Sequence, residues 1–576
     1  IYRKVGIIRN NSCNFTTKII RNGNGVILKS TRLLRRLIKA NGHRVIFGKR
    51  LQYNCIFYGF FMEEHDVIAH VKNTKSRAGH MTPFTPWVYR SRDIYRHWAP
   101  VFKIISILWI VLATFMLVPL VVLLLENDPD APAFAVSVLI TISAAALTWL
   151  LTYRASLELK PWQMFILTAA SWVTISGFAS LPLILGAPQL TFTNAVFESV
   201  SAITTTGSTI LVGIEHFSDG LKLWRGLMQW MGGIGIIVMG IAILPFLKVG
   251  GMRLFHTESS DWSDKVMPRT GGIAKATLTI YVSLTLFAIG SYWFGGMTLL
   301  DATVHGMSSL STGGFANSDA SFGAYSEQPW LLWMASLFML SGALPFVLYI
   351  RFIRSSRNAL WKDQQVRGLL KLLLAAILVL SAWRVLHGDN WFVSLTHVTF
   401  NVVSVVTTTG YASDDYTLWG ALPVAAFFYL TFVGGCSGST SGGMKIFRFQ
   451  IATLMLQNQL RYLIHANGVF TNRYNHQPVT SDISRSVVAF SFFFFITIAA
   501  LALSLSALGL DLVTALSGAA TAVTNVGPGL GDIIGPAGNF SSLPDAAKWL
   551  LCIGMLMGRL EILTVVVLLT PMFWRR

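Results

Sequence analysis

Four stretches decide how this chain is read: Ile203–Thr209 (ITTTGST), Leu310–Ala316 (LSTGGFA), Val406–Ala412 (VTTTGYA) and Thr524–Leu530 (TNVGPGL). Each follows an apolar segment too short to cross a bilayer, and each is framed by segments long enough to do so. Irregular backbone at membrane depth survives only where it is buried in protein or lines a water-filled cavity. Glycine opens backbone angles closed to other residues and lets carbonyls aim at a common axis. Rings of such carbonyls replace the hydration shell of an ion. The four stretches therefore predict re-entrant loops converging on one pore.

The central glycines Gly207, Gly313, Gly410 and Gly527 lie 106, 97 and 117 residues apart, the period of an internal repeat. The residues expected to line the ring are Thr205, Thr206 and Gly207; Ser311, Thr312 and Gly313; Thr408, Thr409 and Gly410; and Asn525, Val526 and Gly527. The fourth loop, Asn525-Val526-Gly527-Pro528-Gly529, comes nearest to a TVGYG-type strand. The short segments before the glycines, near 191–203, 298–310, 391–406 and 510–523, read as half-helices entering from outside. Their C-terminal ends carry partial negative charge, which favours a cation beneath the loops.

The rest of the chain agrees. Of 576 residues, 53% are hydrophobic and 12% charged, with a mean hydropathy of +0.57, so lipid is the expected solvent. The net charge of +19 is local: residues 1–99 hold 19 Lys/Arg against 4 Asp/Glu, and the other 477 hold 26 against 22. A charge run of this kind is usually solvated or membrane-facing, so nucleic acid is not an expected partner. Residues 1–97 form a basic leader, expected to be a disordered or mis-annotated extension, with Met81 as a candidate start. Cys13, Cys55, Cys436 and Cys552 are scattered, with neither disulfide nor metal spacing.

Apolar spans are expected at 101–125, 133–153, 162–186, 221–247, 272–296, 329–353, 368–386, 419–456, 486–509 and 549–573, the eighth too long and interrupted. One set of connections carries Arg154, Lys160, Lys248, Arg253, Arg351, Arg354, Lys445 and Arg461; the other carries Glu126, Asp128, Glu215, Asp319, Asp389 and Asp414. The basic set should be cytoplasmic, with both termini, and the loops lie on the acidic outer side. The expected fold is an all-α polytopic membrane protein: four membrane–pore-loop–membrane repeats around one pore, preceded by two extra transmembrane helices. The divisions are 98–160 for those two helices, then 161–250, 251–357, 358–460 and 461–576 for the repeats.

Two features stand inside the membrane. The eighth span is broken by Gly434, Gly435, Cys436, Ser437, Gly438, Ser439, Thr440, Ser441, Gly442 and Gly443. Ten residues without a large side chain cannot hold a stiff helix; they read as a flexible loop across the inner pore, the alternative being close packing of small residues. Arg559 lies in the last span, where a charge costs about 2.5–3.5 kcal/mol on insertion scales. It reads as a positive charge beneath the loops, the alternative being a structural ion pair. Glu561, two residues on, cannot share its helix face. His305 and His397 on the half-helices read as packing residues. Glu198, Asp301 and Asp511 either bond the supporting backbone or add negative potential.

With these loops, the GGCSGSTSGG break, the GMKIFR stretch after it and the MGRLEI arginine, the chain resembles the TrkH/KtrB/HKT superfamily of potassium transporters, TrkH branch, over about residues 95–576. The resemblance implies potassium uptake across the bacterial inner membrane, with potassium ions at the loop residues. It implies a gate at 434–443 held by Arg559, a homodimer with one pore per protomer, and a cytosolic TrkA-type nucleotide-binding regulatory subunit. Neither catalysis nor a cofactor is implied; potassium is the cargo. Serine at the first filter glycine goes with sodium transport in HKT relatives, and Gly207 favours potassium. The alternatives are a symporter coupling potassium to protons or sodium, for which broken helices also suit, and an intramembrane enzyme, for which no nucleophile–base set or metal cluster is present.

Overall fold

The computed structural model describes residues 5–9, 16–22, 25–28, 86–242, 270–354, 357–475 and 477–575. It comprises two units, Ile1–Tyr89 and Arg90–Arg576. In the first, β1 (Val5–Arg9), β2 (Thr16–Asn22) and β3 (Gly25–Leu28) pair as an antiparallel sheet, with Asn22 opposite Gly25. These segments are rich in Val, Ile and Thr, and only Gly23 and Asn24 separate the second pair, a composition suited to a hairpin. Of the rest of the leader, residues 86–97 belong to the first long helix, and Met81 lies outside the described residues.

The second unit is helical. The helices begin with α1 (Pro86–Glu126), α2 (Ala131–Thr152), α3 (Pro161–Ala179) with α4 (Leu181–Leu185), the first half-helix α5 (Phe192–Ile203) and α6 (Asp219–Ala242). Next come α7 (Thr270–Phe294), the second half-helix α8 (Leu299–Ser311), α9 (Pro329–Ala343), α10 (Phe346–Arg354) and α11 (Ala359–Lys362). Then follow α12 (Gln364–Leu386), the third half-helix α13 (Trp391–Val406), α14 (Ala421–Thr431) and α15 (Ile446–Ile464). The chain closes with α16 (Ser481–Ala507), the fourth half-helix α17 (Leu512–Thr524), α18 (Asp545–Arg559), α19 (Ile562–Leu569) and α20 (Pro571–Trp574).

Among the described residues six helices are long and apolar enough to cross a membrane, eight if two bent pairs each count once. Only 17% to 39% of the crossing window of each of the six is buried, so most of that apolar surface has lipid as its natural partner. The half-helices are the reverse: Ala195–Ile203 is buried without interruption. Each opens on a side-chain cap, Thr191 accepting from the Asn194 N–H, Thr298 from Asp301, Asn390 from Phe392 and Asp511 from Thr514.

Two expected spans are not continuous. Helices α9 and α10 meet at 94°, and α18 and α19 at 113°. At the first break Pro345 lacks an N–H and drives Leu344 out of the helical region, to φ −88° and ψ 154°. Glu561 turns the second break with φ +60°. The third interruption, foreseen in the eighth span, lies between α14 and α15, where β4 (Val433–Gly434) pairs in parallel with β5 (Met444–Lys445) and closes the base of the loop between them.

Candidate functional site: the loop ring and the segment beneath it

After each half-helix the backbone repeats one course. Thr206, Gly313, Thr409 and Val526 each donate their N–H to the carbonyl five residues back, at 2.8, 2.9, 2.8 and 3.2 Å. The residue before each, Thr205, Thr312, Thr408 or Asn525, is left-handed, with φ of +52°, +51°, +58° and +57°. The residue after each is a glycine with positive φ: Gly207 (+87°), Gly314 (+80°), Gly410 (+84°) and Gly527 (+110°). The second loop is thus read one residue out of register in the sequence, where two adjacent glycines leave the alignment open. Gly314 matches the other three, and Gly313 stands with Thr206, Thr409 and Val526.

The ring closes through these glycines. A Cβ on Gly207 would come within 3.0 Å of the Gly313 carbonyl oxygen, and one on Gly314 would meet that of Thr409. One on Gly410 would meet Val526, and one on Gly527 would meet Thr206, returning to the first loop. Four loops far apart in the sequence therefore touch in cyclic order, each presenting a carbonyl to the next. The expected lining residues Thr205, Thr206, Thr312, Thr408, Thr409, Asn525 and Val526 are all buried at this ring, as is Ser311 at the end of α8.

Neighbouring loops are fastened differently. Arg225 of α6 donates Nε to Glu198 at 3.0 Å and Nη1 to the Ala316 carbonyl at 3.0 Å, while Glu198 accepts from the Ile210 N–H and the Thr209 hydroxyl. Its guanidinium also covers the Phe315 ring at 4.2 Å. This ion pair, 1% and 0% exposed, ties the outer halves of the first two loops. Between the fourth and first loops, Asn525 Nδ2 donates to the Thr206 hydroxyl at 3.0 Å and the Ser208 hydroxyl donates to the Gly527 carbonyl at 2.9 Å. Asp301 accepts from Thr298 and Asn317, and Asp511 caps α17, so all three half-helix carboxylates bond their surroundings. The Arg225–Glu198 pairing was not legible: both charges were visible in apolar sequence, but nothing in a 27-residue separation joins them.

At the outer surface Glu215 accepts from the Ser318 hydroxyl and the Asp319 N–H, and Asp319 accepts from the N–H groups of Gly213 and Ile214. The Ser318 hydrogen bond holds the Glu215 carboxyl below the usual carboxylate range. His305 bonds the Asp301 carbonyl through Nδ1 and meets Phe322 edge-on, and His397 pairs with the Ser413 hydroxyl at 3.0 Å.

Beneath the ring lies the glycine–serine segment, buried except at the exposed Gly438 and the half-buried Gly443. It plugs the break between α9 and α10: Cys436 N–H donates to the Ala343 carbonyl, Thr440 N–H to Gly342, and Gly438 accepts from Phe346 N–H, all at 3.0–3.1 Å. The polar backbone exposed by the break is thereby satisfied at membrane depth. Ser437 N–H bonds Gln365 at 2.9 Å, and Gly435 N–H bonds the Ser441 hydroxyl. The segment also reaches the innermost loop residues. The Thr408 hydroxyl accepts from Gly442 N–H at 2.6 Å and lies 3.1 Å from that of Ser441, and the Thr312 hydroxyl lies 3.3 Å from that of Thr440. A Cβ on Gly442 would stand 2.5 Å from the Thr524 carbonyl, which accounts for a glycine there; Gly434 and Gly443 flank one another at the base.

Arg559 ends α18, 2% exposed. Its Nη1 donates to the Thr440 carbonyl at 2.8 Å and its Nη2 approaches the Gly232 carbonyl at 3.4 Å, so its partners are carbonyls, one of them in the segment. Lys445 Nζ donates to the next carbonyl, that of Ser441. Glu561 turns away to Arg448 Nη2 at 2.7 Å, a tie between α15 and the bent last helix that the sequence did not reveal.

A model of the TrkH family, described as cation transport protein, matches residues 130–388 and 389–576. Among curated proteins, the Trk system potassium uptake protein TrkI of Halomonas elongata is 75% identical over 487 residues, covering 84% of this chain and 99% of that protein. The Trk system potassium uptake protein TrkH of Escherichia coli K12 is 32% identical, with 83% and 100% covered. The crystal structure of the potassium transporter TrkH from Vibrio parahaemolyticus superposes with a TM-score of 0.77 at 32% identity, covering 83% of this chain and all of that one. The helical spans, the repeated loops and these matches agree: the chain belongs to the TrkH family of cation transport proteins.

Proposed function

We propose that this chain takes up potassium ions across a bacterial inner membrane, the ring at Thr205–Gly207, Thr312–Gly314, Thr408–Gly410 and Asn525–Gly527 acting as its selectivity filter. The observation that carries this reading is the cyclic contact of four loops, each setting one carbonyl against the glycine of the next. Carbonyls so arranged substitute for the water shell of a cation, and the ends of four half-helices add negative potential beneath it. The potassium carried by name by the relatives supports the choice of ion. A membrane potential supplies about 2.3 kcal/mol per charge per 100 mV for inward movement.

The segment 434–443 is the gate. It bonds the innermost residues of two loops and is itself bonded by Arg559 and Lys445, which set positive charge on the exit path. Opening requires those bonds to be exchanged for others. The connections rich in Arg and Lys, with both termini, face the cytoplasm. A cytosolic TrkA-type nucleotide-binding subunit drives the exchange, and the transporter works as a homodimer.

The test is rubidium flux into proteoliposomes holding the purified chain, with potassium and sodium as competitors. Competition by potassium and little by sodium is expected; equal competition by both overturns the filter. Flux that requires an imposed proton or sodium gradient would instead identify a symporter.

A further inference from the structure

The four turns of the ring are not chemically equal. Thr206, Thr409 and Val526 carry side chains where the second turn has Gly313. The space is taken from outside the loop by Gln229 of α6, which is 0% exposed. Its Nε2 donates to the Gly313 carbonyl at 2.5 Å, and its Oε1 accepts from the Ser308 hydroxyl at 2.7 Å and the Phe315 N–H at 3.1 Å. The Phe315 N–H can only donate, so it sets which end of the amide faces it and directs the NH₂ group to Gly313. A Cβ on Gly313 would lie 2.5 Å from Gln229 Cδ, so a side chain there and this amide exclude one another.

The carbonyl that Gln229 holds is the one that meets Gly207 where the first and second loops join. Among the described residues, the corresponding carbonyls of Thr206, Thr409 and Val526 receive no hydrogen bond. One of the four ring carbonyls is thus pinned by a donor and shares its lone pairs with it.

We propose that Gln229 is a positioning residue that sets the ion preference of the ring, a role that rests on the filter reading above. Two physical effects act in the same direction. A carbonyl already bonded by an amide presents a weaker field, and weaker-field ligands discriminate in favour of larger, more easily dehydrated cations. A carbonyl held from behind also cannot move inward to close on a smaller ion. Whether cavity size or ligand field dominates in such filters, removing the amide admits more sodium.

The experiment uses the full-length chain in proteoliposomes and reads rubidium flux with sodium and potassium as competitors. Gln229→Met keeps the length and fill of the side chain and removes donor and acceptor together. Gln229→Glu keeps the acceptors for Ser308 and Phe315 and loses the donor. A net hydrogen bond corresponds to a change of about threefold to tenfold in an equilibrium ratio, and sodium is expected to gain by that much against potassium in both variants. A residue that merely filled space would let methionine serve with the ratio unchanged. Gly207→Ser runs beside them. If it shifts the ratio and neither Gln229 variant does, the role of Gln229 is refuted while the filter stands; if Gly207→Ser shifts nothing, the filter reading itself falls. Where either variant assembles poorly, Gln229→Asn, one methylene short of Gly313, replaces it, and stabilisation of the purified chain by rubidium against sodium reads the same ratio without flux.

Discussion

Alanine at Gly314 and alanine at Gly313 should have unequal consequences, although the two glycines are adjacent and look alike in the sequence. Gly314 has φ +80°, where a non-glycine residue costs about 1–2 kcal/mol. Its added Cβ would also press on the backbone carbonyl of Thr409, inside 3.0 Å. That carbonyl belongs to a closed ring and cannot retreat without moving a third loop, so an overpacking cost of about 1–3 kcal/mol applies as well. Together the change approaches about 2–5 kcal/mol, a large fraction of a net stability of about 5–15 kcal/mol. Gly313 has no such angle, and its Cβ would meet the end of the Gln229 side chain at 2.5–2.9 Å. That amide is the end of a flexible side chain and can yield without moving backbone, but it gives up as many as three hydrogen bonds, about 0.5–1.5 kcal/mol each. Rubidium uptake at matched protein level and thermal unfolding of the purified chain both report the difference. Gly314→Ala should abolish uptake because it displaces ring backbone, whereas Gly313→Ala, which displaces only the Gln229 side chain, should keep uptake with weakened preference for potassium and lose no more unfolding temperature than Gly314→Ala. A Gly313→Ala protein that loses uptake as completely as Gly314→Ala, or more so, would refute the register and the ring contacts.

Arg559→Gln removes a charged donor from the Thr440 carbonyl, a bond worth about 1.5–3 kcal/mol, so flux by the chain alone should rise by about tenfold or more; unaltered flux would leave the arginine merely structural. Deleting residues 436–441 should likewise raise flux without a partner subunit, and a fully closed deletion protein would contradict the gate. Thr408→Val strips the acceptor from the Gly442 N–H and should loosen the segment, while Thr408→Ser keeps the hydroxyl and should behave as the parent in the same flux assay. Glu561→Gln leaves the buried Arg448 facing a neutral partner; since Glu561 is 14% exposed, a loss of about 2–3 kcal/mol is expected, seen as a lower unfolding temperature, and an unchanged one would show that the tie carries no stability.

Much of the architecture was open to sequence reading because membrane insertion writes itself in composition and length. Spans such as 133–153 and 272–296 fall within a few residues of α2 and α7, and the half-helices near 191–203 and 391–406 match α5 and α13. Capping residues at Thr191, Thr298, Asn390 and Asp511 mark where each half-helix starts. The bends after Ala343 and Arg559 were missed because hydropathy averages over a window and is blind to a single proline or one left-handed residue inside it.

Local chemistry along the chain thus determined that this protein is membrane-embedded, that four glycine loops interrupt it, and that a glycine–serine break and a buried arginine lie within its spans. Tertiary structure alone decided which residues of those loops meet. Gly314 rather than Gly313 joins the ring because backbone angles and cross-loop contacts, not spacing, set the register. Arg225 finds Glu198, Gln229 finds Gly313, Arg448 finds Glu561 and Thr440 finds Arg559 across 27, 84, 113 and 119 residues. Such pairs form only when packing brings distant helices into contact, and no periodicity in one segment records its partner in another.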